Sequence, residues 1–225
     1  SNNTIFGTQV KQIPTTNTPI VCDMYSDIFS KKIDVSKFDL IYAGAQKNMG
    51  PAGTTLYIVK KDVLGASSVE IPTMLNLKTH TDKESMFNTP PVFAVYTSML
   101  TLKWLKKNGG IDFIEKMNTN KAQLIYNEID RNSLFKGTAN TEDRSNMNAT
   151  FALNNETLKT EFDNAINNAN ISGLKGHRSV GGYRASMYNA LPIESVQVLV
   201  EIMKEFKNIE FSLKDFPVSL GLFKL

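Results

Sequence analysis

The hydrophobic and polar positions in the first part of the chain form short apolar runs between turn residues. Runs at residues 19–22, 40–43 and 54–59 are rich in β-branched and aromatic side chains and predict three buried strands. Residues 24–37 lie between the first two runs and are numerous enough for a crossover that contains some helix. Such a series predicts an α/β sheet, in which ligands usually bind at the strand ends.

Helical spacing replaces the short runs after the two prolines at residues 90–91. Apolar side chains recur at helical intervals over residues 92–105, and a diglycine at 109–110 predicts the end of this helix. A second apolar stripe predicts another helix over residues 111–129. We therefore expect two consecutive helices after the sheet.

A smaller unit follows a polar break at residues 137–146. Its predicted strands are at residues 147–153, around Leu174 and at 183–188, and its predicted helices are at 156–168 and 192–206. This β-α-β-β-α order predicts a small α+β domain. We expect a mixed-sheet domain at residues 1–108 and the small domain at 109–225, in which residues 211–225 show no clear period.

Composition restricts the class of protein. The 225 residues are 41% hydrophobic and 21% charged, which suits one large or two small soluble domains. The net charge of +3 comes from interspersed residues and favours neither nucleic acid nor a membrane surface as a partner. A single cysteine, Cys22, excludes an internal disulfide, and two histidines are too few for a histidine-based metal centre. We therefore expect a cytoplasmic protein with no metal site.

The beginning of the chain, SNNTIFGTQV, contains no secretory signal and no initiator methionine. No apolar run approaches the ~20 residues that a membrane helix needs. Because the chain opens within what reads as a structured segment, we expect it to lack an N-terminal part.

Lys47 lies just after the second apolar run, within the small-residue sequence GAQKNMGPAG at residues 44–53. A free lysine has a pKa near ~10.4 and is a poor nucleophile at neutral pH. A carbonyl cofactor that binds the amine as an imine in a partly desolvated site removes this difficulty. A solvated surface lysine is the competing interpretation. A phosphate-binding loop is a poorer match because the GK[ST] ending is missing.

Asp23 follows the first apolar run, where we expect a partly buried carboxylate that needs a partner. A protonated pyridine nitrogen is such a partner, since opposite charges at ~4 Å attract by roughly 4 kcal/mol at an effective dielectric of about 20. This attraction is enough to keep the ring protonated, and a protonated ring accepts electrons from a carbanion. The alternative is an aspartate that caps a helix after the strand.

Residues 175–186, KGHRSVGGYRAS, contain two arginines and a histidine around glycines. Arginine binds carboxylates and phosphates through paired hydrogen bonds, so Arg178 and Arg184 can face one small dianion. A solvated hairpin is the competing interpretation, and a nucleic-acid patch is disfavoured because aromatic neighbours are few. Asn88 and Thr89 precede the two prolines, where they are typical helix caps but can also bind an anion.

Together these motifs resemble the phosphoserine aminotransferases, a family of pyridoxal-phosphate (PLP) enzymes of fold type I. The resemblance runs from about Asn3 to Phe206. It is carried by the stretches NNTI, VCDMYSDIFSKKIDVSKFDLIYAGAQKNMGPAG, IPTML, MFNTPP, LKWLKKNGG and KGHRSVGGYRASMYNA. It implies an α/β fold, namely the C-terminal part of a PLP-binding large domain with a mixed sheet and helices, followed by a small α+β domain.

The resemblance implies roles toward the cofactor for four residues. Lys47 would bond the cofactor aldehyde and shuttle the proton during transamination. Asp23 would meet the pyridine nitrogen, and Thr4 would lie near the ring hydroxyl. Gln46 would contact the cofactor phosphate.

The remaining roles concern the dimer and the substrate. Asn88 and Thr89 resemble residues that reach the cofactor phosphate of a neighbouring subunit, which implies a homodimer with shared sites. Arg184 resembles the arginine that binds the substrate α-carboxylate. His177 and Arg178 resemble groups that hold the distal anion of the substrate.

The implied reaction is reversible amino transfer between L-glutamate and 3-phosphohydroxypyruvate, which gives O-phospho-L-serine and 2-oxoglutarate. It serves serine synthesis and, in many bacteria, pyridoxine synthesis. One alternative is a catalytically incomplete fragment that at most binds anions or a partner chain, since the family's N-terminal cofactor-binding loop is absent from this sequence. Another is a desulfurase or decarboxylase, which the arginine–histidine segment disfavours.

Overall fold

The computed structural model describes the backbone of residues 1–215 and the side chains of residues 1–207. Its strands are β1 (Asn2–Asn3), β2 (Thr8–Gln9), β3 (Val21–Asp23), β4 (Leu40–Gly44), β5 (Thr55–Val59), β6 (Phe135–Gly137), β7 (Asn148–Leu153) and β8 (Tyr183–Ser186). Its α-helices are α1 (Leu77–Thr81), α2 (Val92–Lys107), α3 (Gly110–Arg131), α4 (Lys159–Asn168) and α5 (Ile193–Asp215). Of the tail at residues 211–225, the part 211–215 continues α5 and the rest lies outside the described residues.

The three strands predicted near the start of the chain are present and form one mixed sheet in the order β3-β4-β5. β3 runs parallel to β4, with Asp23 opposite Tyr42, and β4 runs antiparallel to β5, with Gly44 opposite Thr55. Because parallel strands end at the same edge of a sheet, the chain after Asp23 and the chain after Gly44 emerge side by side. This edge brings two of the candidate motifs together.

The crossover between β3 and β4 contains no α-helix, so the helix expected within residues 24–37 is wrong. Its only regular piece is the 3₁₀ turn Val35–Lys37. Phe29 has a φ of 57°, a left-handed conformation that interrupts a helix. Met24 before the turns at residues 25–29 and Ile28 within them are both buried. Burial of these side chains therefore decides the path of the crossover.

The two consecutive helices α2 and α3 lie close to their predicted bounds. α2 ends at Lys107, and α3 begins at Gly110 after a single turn. Gly109 and Gly110 have φ values of 104° and 68°, which favour glycine, so the diglycine reverses the chain between the helices. The predicted domain boundary after residue 108 falls in this turn and stays a prediction. No helix within residues 1–215 is both long enough and apolar enough to cross a membrane.

The start of α2 does not use the capping side chains that the sequence predicts. Pro91 is the N-cap residue, and no side chain caps this helix. Asn88 and Thr89 are both exposed, and the Asn88 amide lies 3.5 Å from the Thr89 carbonyl oxygen. The two prolines keep the preceding backbone extended, which moves the helix start away from both residues.

The predicted β-α-β-β-α order of the smaller unit is wrong. The second sheet is antiparallel in the order β6-β7-β8, so the order along the chain is β-β-α-β-α. The additional strand, Phe135–Gly137, runs into the polar break. Leu174 is buried but forms no strand, and the adjacent Lys175 makes only an isolated bridge to Tyr183. Gly173, with a φ of 74°, bends the backbone there and prevents an extended run.

The core beneath this sheet is an aromatic cluster centred on Phe162 of α4. The ring is fully buried, and its centroid lies 5.1 Å from that of Phe135, 5.0 Å from Tyr183 and 5.1 Å from Phe206. The cluster thus ties α4 and α5 to the sheet. Since Tyr183 directly precedes Arg184 in β8, the same packing fixes the strand that presents this arginine.

Replacement of Phe162 by alanine tests the importance of the cluster. We expect Phe162→Ala to lower the free energy of unfolding by about 3–5 kcal/mol, the usual cost of deleting a buried aromatic ring. Urea unfolding followed by circular dichroism measures the change. Phe6→Ala removes a ring that is 53% exposed and serves as the control, with an expected cost below about 1 kcal/mol. Equal losses in the two variants would contradict the assigned packing.

Candidate active site

An open cavity of about 640 Å³ lies at the edge of the first sheet where β3 and β4 end. Its walls come from the N-terminal hairpin β1–β2, from the turn after β3 and from the turn after β4. Thr4, Asp23 and Lys47 line this cavity together. The fold therefore gathers three of the predicted cofactor-binding residues from three separate segments.

Lys47 lies in a tight turn directly after β4. The carbonyl of Ala45 accepts a hydrogen bond from the N–H of Gly50 at 2.7 Å and closes the turn around the lysine. A β-carbon on Gly44 would collide with the ring of Tyr25, so glycine lets the end of β4 pack directly against that ring. The small residues around Lys47 are therefore required by the packing of the turn.

The environment of the Lys47 amine shifts its protonation equilibrium toward the neutral form. The side chain is half-buried, and this burial is the main cause that lowers its pKa below the ordinary value of 10.5. The charge of Asp23 opposes the shift, the charge of Arg184 adds to it, and a smaller effect of Asp27 opposes it. The ring centroid of Tyr188 lies 5.9 Å from the Lys47 Nζ, within the range of a cation–π contact. A neutral amine is the form that attacks a carbonyl.

Asp23 is exposed, so the expectation of a partly buried carboxylate is wrong. The reason is that β3 is an edge strand of the described sheet and Asp23 is its last residue. Its Oδ1 accepts the N–H of Tyr25 at 2.8 Å, which fixes the carboxylate at the start of the turn. The charge of Asp23 is the main cause that raises the pKa of Tyr42. Asp23 therefore places a negative charge on the cavity wall.

Arg184 approaches this region from the second sheet, although it is not among the residues that line the cavity. It lies on β8 opposite Thr150 of β7 and is half-buried. Its Nη1 donates to the carbonyl oxygen of Thr4 at 3.3 Å, while its Nε is buried without a hydrogen-bond partner among the described residues. A buried guanidinium N–H without a partner is costly, so this arginine retains donor capacity for an anion.

The structure does not bring His177 and Arg178 to the cavity wall. The His177 Nδ1 and the Ser179 Oγ are 2.7 Å apart within the same loop, and Arg178 is exposed. The side chains that line the Lys47 cavity include neither residue. Their predicted convergence with Arg184 on one ligand stays a prediction.

Gln46, Asn88 and Thr89 also lie outside this cavity wall. All three are exposed. The Gln46 side chain lies beside Gly44, on the same side as Tyr25. Their contacts with a cofactor phosphate stay a prediction.

Sequence reasoning missed Tyr188 and Asn48, which both belong to the surroundings of Lys47. Asn48 is buried, and its Oδ1 accepts the N–H of Asn189 at 3.0 Å. A signal for Tyr188 exists in the sequence, because side chains alternate between the faces of a strand. Arg184, Ser186 and Tyr188 are all partly exposed at this period of two, whereas the residues between them are buried. The face that carries Arg184 therefore continues to Tyr188.

Comparisons with known proteins agree with this arrangement. The model of the class-V aminotransferase family matches residues 3–199. The phosphoserine aminotransferase of Flavobacterium psychrophilum is 68% identical over 208 residues, which cover 92% of this chain and 58% of that enzyme.

Two solved structures are similar across most of the chain. The phosphoserine aminotransferase of Bacillus circulans subsp. alkalophilus shares 45% identity with a TM-score of 0.89, covering 93% of this chain and 59% of that one. The PLP-bound phosphoserine aminotransferase of Trichomonas vaginalis shares 36% identity with a TM-score of 0.84, covering 90% and 58%.

The chain spans about 58% of the length of its curated relative from Flavobacterium psychrophilum. Within that span, the family match includes the cavity with Lys47, the carboxylate of Asp23 and the strand that carries Arg184. The fold of the two sheets and their helices agrees with that of the solved aminotransferases. The chain belongs to the class-V aminotransferase family.

Proposed function

We propose that the protein is a PLP-dependent phosphoserine aminotransferase. It transfers an amino group reversibly between L-glutamate and 3-phosphohydroxypyruvate and yields O-phospho-L-serine and 2-oxoglutarate. The observation that carries the proposal is the half-buried Lys47 amine, with a lowered pKa, in one cavity with the carboxylate of Asp23. The names and identities of the relatives support the choice of substrate.

The residues of the cavity fit PLP. The cavity of about 640 Å³ is within the usual range for a small-molecule site, ~300–1,000 Å³. It offers an amine for the aldehyde, a carboxylate for a ring N–H and the hydroxyl of Thr4 for a ring oxygen. When bound, PLP supplies an electron sink that makes the α-proton of an amino acid removable.

Lys47 has two tasks in this proposal. Its amine is the group that would condense with the aldehyde of PLP, with loss of water, and the lowered pKa favours the neutral form that this needs. The same amine, when not bonded to the cofactor, would accept the α-proton of the amino-acid substrate and return it as a general acid. The turn closed by Ala45 and Gly50 holds the amine at one position for both tasks.

Asp23 and Arg184 provide charges of opposite sign that act on Lys47 in opposite directions. The Asp23 carboxylate would hold a proton on the ring nitrogen, and the hydrogen bond that it accepts from the N–H of Tyr25 keeps it in place. Arg184 would bind the α-carboxylate of either substrate through the paired donors of its guanidinium group. His177 and Arg178 hold the distal carboxylate or phosphate.

The proposal includes a homodimer in the cytoplasm. Asn88 and Thr89 would hold the cofactor phosphate of the neighbouring subunit, and Gln46 would hold that of its own. Both residues before α2 are exposed and lie outside the cavity of their own chain, which supports a role toward a second chain. The enzyme serves serine synthesis and, with a related phosphorylated hydroxy acid, pyridoxine synthesis.

Replacement of Lys47 tests the assignment of the reactive amine in the protein that contains this chain. We expect Lys47→Ala to abolish the visible absorption of the bound cofactor and to lower kcat by at least about 10²–10⁴-fold. Lys60→Ala is the control, because Lys60 is paired with Asp39 at the far end of β5 and should change neither property. Borohydride reduction followed by peptide mass spectrometry locates the pyridoxyl group. An adduct on another lysine would rule out the assignment.

Replacement of Arg184 tests substrate recognition. We expect Arg184→Ala to raise the KM for L-glutamate and for O-phospho-L-serine alike, each by about 10- to 100-fold, since a charge-assisted hydrogen bond contributes roughly 1.5–3 kcal/mol. Steady-state kinetics of both half-reactions measure the effect. Lys204→Ala is the control, because Lys204 pairs with the exposed Glu201 on α5 and does not line the cavity. Loss of only one substrate, or release of sulfide or CO₂ instead of amino transfer, would contradict the proposal.

The charges around Lys47 predict the sign of two changes in its pKa. Asp23→Asn removes a charge that favours the ammonium and should lower this pKa, whereas Arg184→Gln removes one that disfavours it and should raise it. Competitive acetylation of the cofactor-free protein at a series of pH values, read by mass spectrometry, measures both. Asp112→Asn, which breaks a surface pair with Lys32, should leave the Lys47 pKa unchanged. Shifts of the opposite sign would refute the electrostatic account.

A further inference from the structure

Lys121 of α3 is a fully buried lysine that the proposed reaction does not use. Its Nζ donates three hydrogen bonds, to the carbonyl oxygens of Met187 at 3.0 Å, Tyr188 at 2.9 Å and Leu191 at 3.0 Å. All three acceptors belong to the segment 187–191 that follows β8. An ammonium has three donors, so its capacity is fully used by one short segment.

Burial of the Lys121 ammonium costs free energy unless its hydrogen bonds hold another part of the structure in place. Burial lowers the pKa of Lys121 to about 8, which reflects the free-energy cost of holding its charge away from water. An apolar residue of similar volume in α3 would avoid that cost. The three bonds instead hold a segment without regular secondary structure in one conformation. Two residues of the segment 187–191, Tyr188 and Asn189, connect it to the surroundings of Lys47.

The first connection runs through Tyr188. Its ring lies 5.9 Å from the Lys47 Nζ. The Tyr188 hydroxyl accepts a hydrogen bond from the Asn148 Nδ2 at 3.2 Å, and the Tyr188 backbone carbonyl accepts one from Lys121. Both the tip of the side chain and the backbone of Tyr188 are therefore anchored. Lys121 thereby fixes the aromatic face that the amine meets.

The second connection runs through two buried asparagines. The N–H of Asn189 donates to the Oδ1 of Asn48 at 3.0 Å, and the Nδ2 of Asn48 donates to the carbonyl oxygen of Ile28 at 3.0 Å. Asn118, one turn before Lys121 on α3, donates to the Oδ1 of Asn189 at 2.9 Å. Because Asn48 directly follows Lys47, the position of the segment 187–191 is transmitted to the backbone of the reactive residue.

We propose that Lys121 is a positioning residue of the aminotransferase site, acting on Lys47 through the segment 187–191. It holds the ring of Tyr188 beside the amine and, through Asn189 and Asn48, fixes the turn that carries the amine. The proposal rests on the proposed role of Lys47 as the reactive amine. A lysine that only stabilised the fold would change the free energy of unfolding without changing the order of the Lys47 turn.

The test compares Lys121→Met with two control variants on the same helix. Lys116→Met removes an exposed charge, and Ile125→Val removes one buried methyl group without touching the polar contacts. Hydrogen-exchange mass spectrometry of the cofactor-free proteins follows peptides that span residues 45–50 and 187–191. We expect Lys121→Met to speed exchange at least ten-fold in both peptides, with smaller changes elsewhere and no such pattern in the controls. Faster exchange in 187–191 alone, or a uniform increase, would overturn the proposal.

Kinetics of the complete holoenzyme give a second readout. We expect Lys121→Met to lower kcat by about 10- to 100-fold with little change in KM, because displacement of a reacting group affects the chemical step. A KM change without a kcat change would contradict a positioning role. If Lys47→Ala leaves the cofactor bond intact, the proposed function fails, but the exchange experiment still measures the coupling between the two peptides.

A further variant keeps the proposal testable if Lys121→Met does not fold. Asn48→Ala leaves the three bonds of Lys121 in place but removes the acceptor of the Asn189 N–H. We expect faster exchange in the 45–50 peptide, unchanged protection of the Lys121-bound segment beyond residue 189, and a lower kcat. Unchanged exchange in the 45–50 peptide would refute transmission through the two asparagines.

Discussion

The site depends on the amine of Lys47 being partly buried and close enough to two charges of opposite sign to feel both. Burial and the charge of Arg184 favour the neutral amine, and Asp23 limits the shift. The balance requires that residues from two sheets approach the same point. The parallel pairing of β3 and β4 brings Asp23 and Lys47 to one edge, and β8 delivers Arg184 from the other sheet.

Polar contacts, more than apolar packing, join the two sheets at this point. Asn2 of the N-terminal hairpin donates to the Ser26 Oγ and to the Asn148 Oδ1, both at 2.9 Å. The hairpin therefore bridges the turn after β3 and strand β7, and it carries Thr4 into the cavity. On the other side, Lys121 and the buried asparagines around it link α3 to the Lys47 turn. Directional hydrogen bonds suit this task because they fix orientation as well as distance.

Much of the fold follows from local pattern. The helix after the two prolines and the helix after the diglycine are confirmed because each has enough periodic residues to specify its own conformation, and the strand at residues 40–43 is confirmed as a short apolar run. Predictions failed where few residues compete with tertiary packing. Phe135–Gly137 is too short to show alternation, Leu174 is buried without being in a strand, and Phe29 adopts a left-handed conformation inside the predicted crossover.

The sequence by itself determined the chemistry that is available: a lysine among small residues after an apolar strand, an aspartate after another, and arginines beside glycines. Residue types and their spacing along the chain show which reactive groups are available, and these can be identified from the sequence. Only the tertiary structure decided that Asp23 is exposed, that one Arg184 N–H has no partner among the described residues, and that the distant Lys121 is connected to Lys47. Burial, charge balance and hydrogen bonding depend on which segments meet, and the distances between those segments are not written in any local pattern.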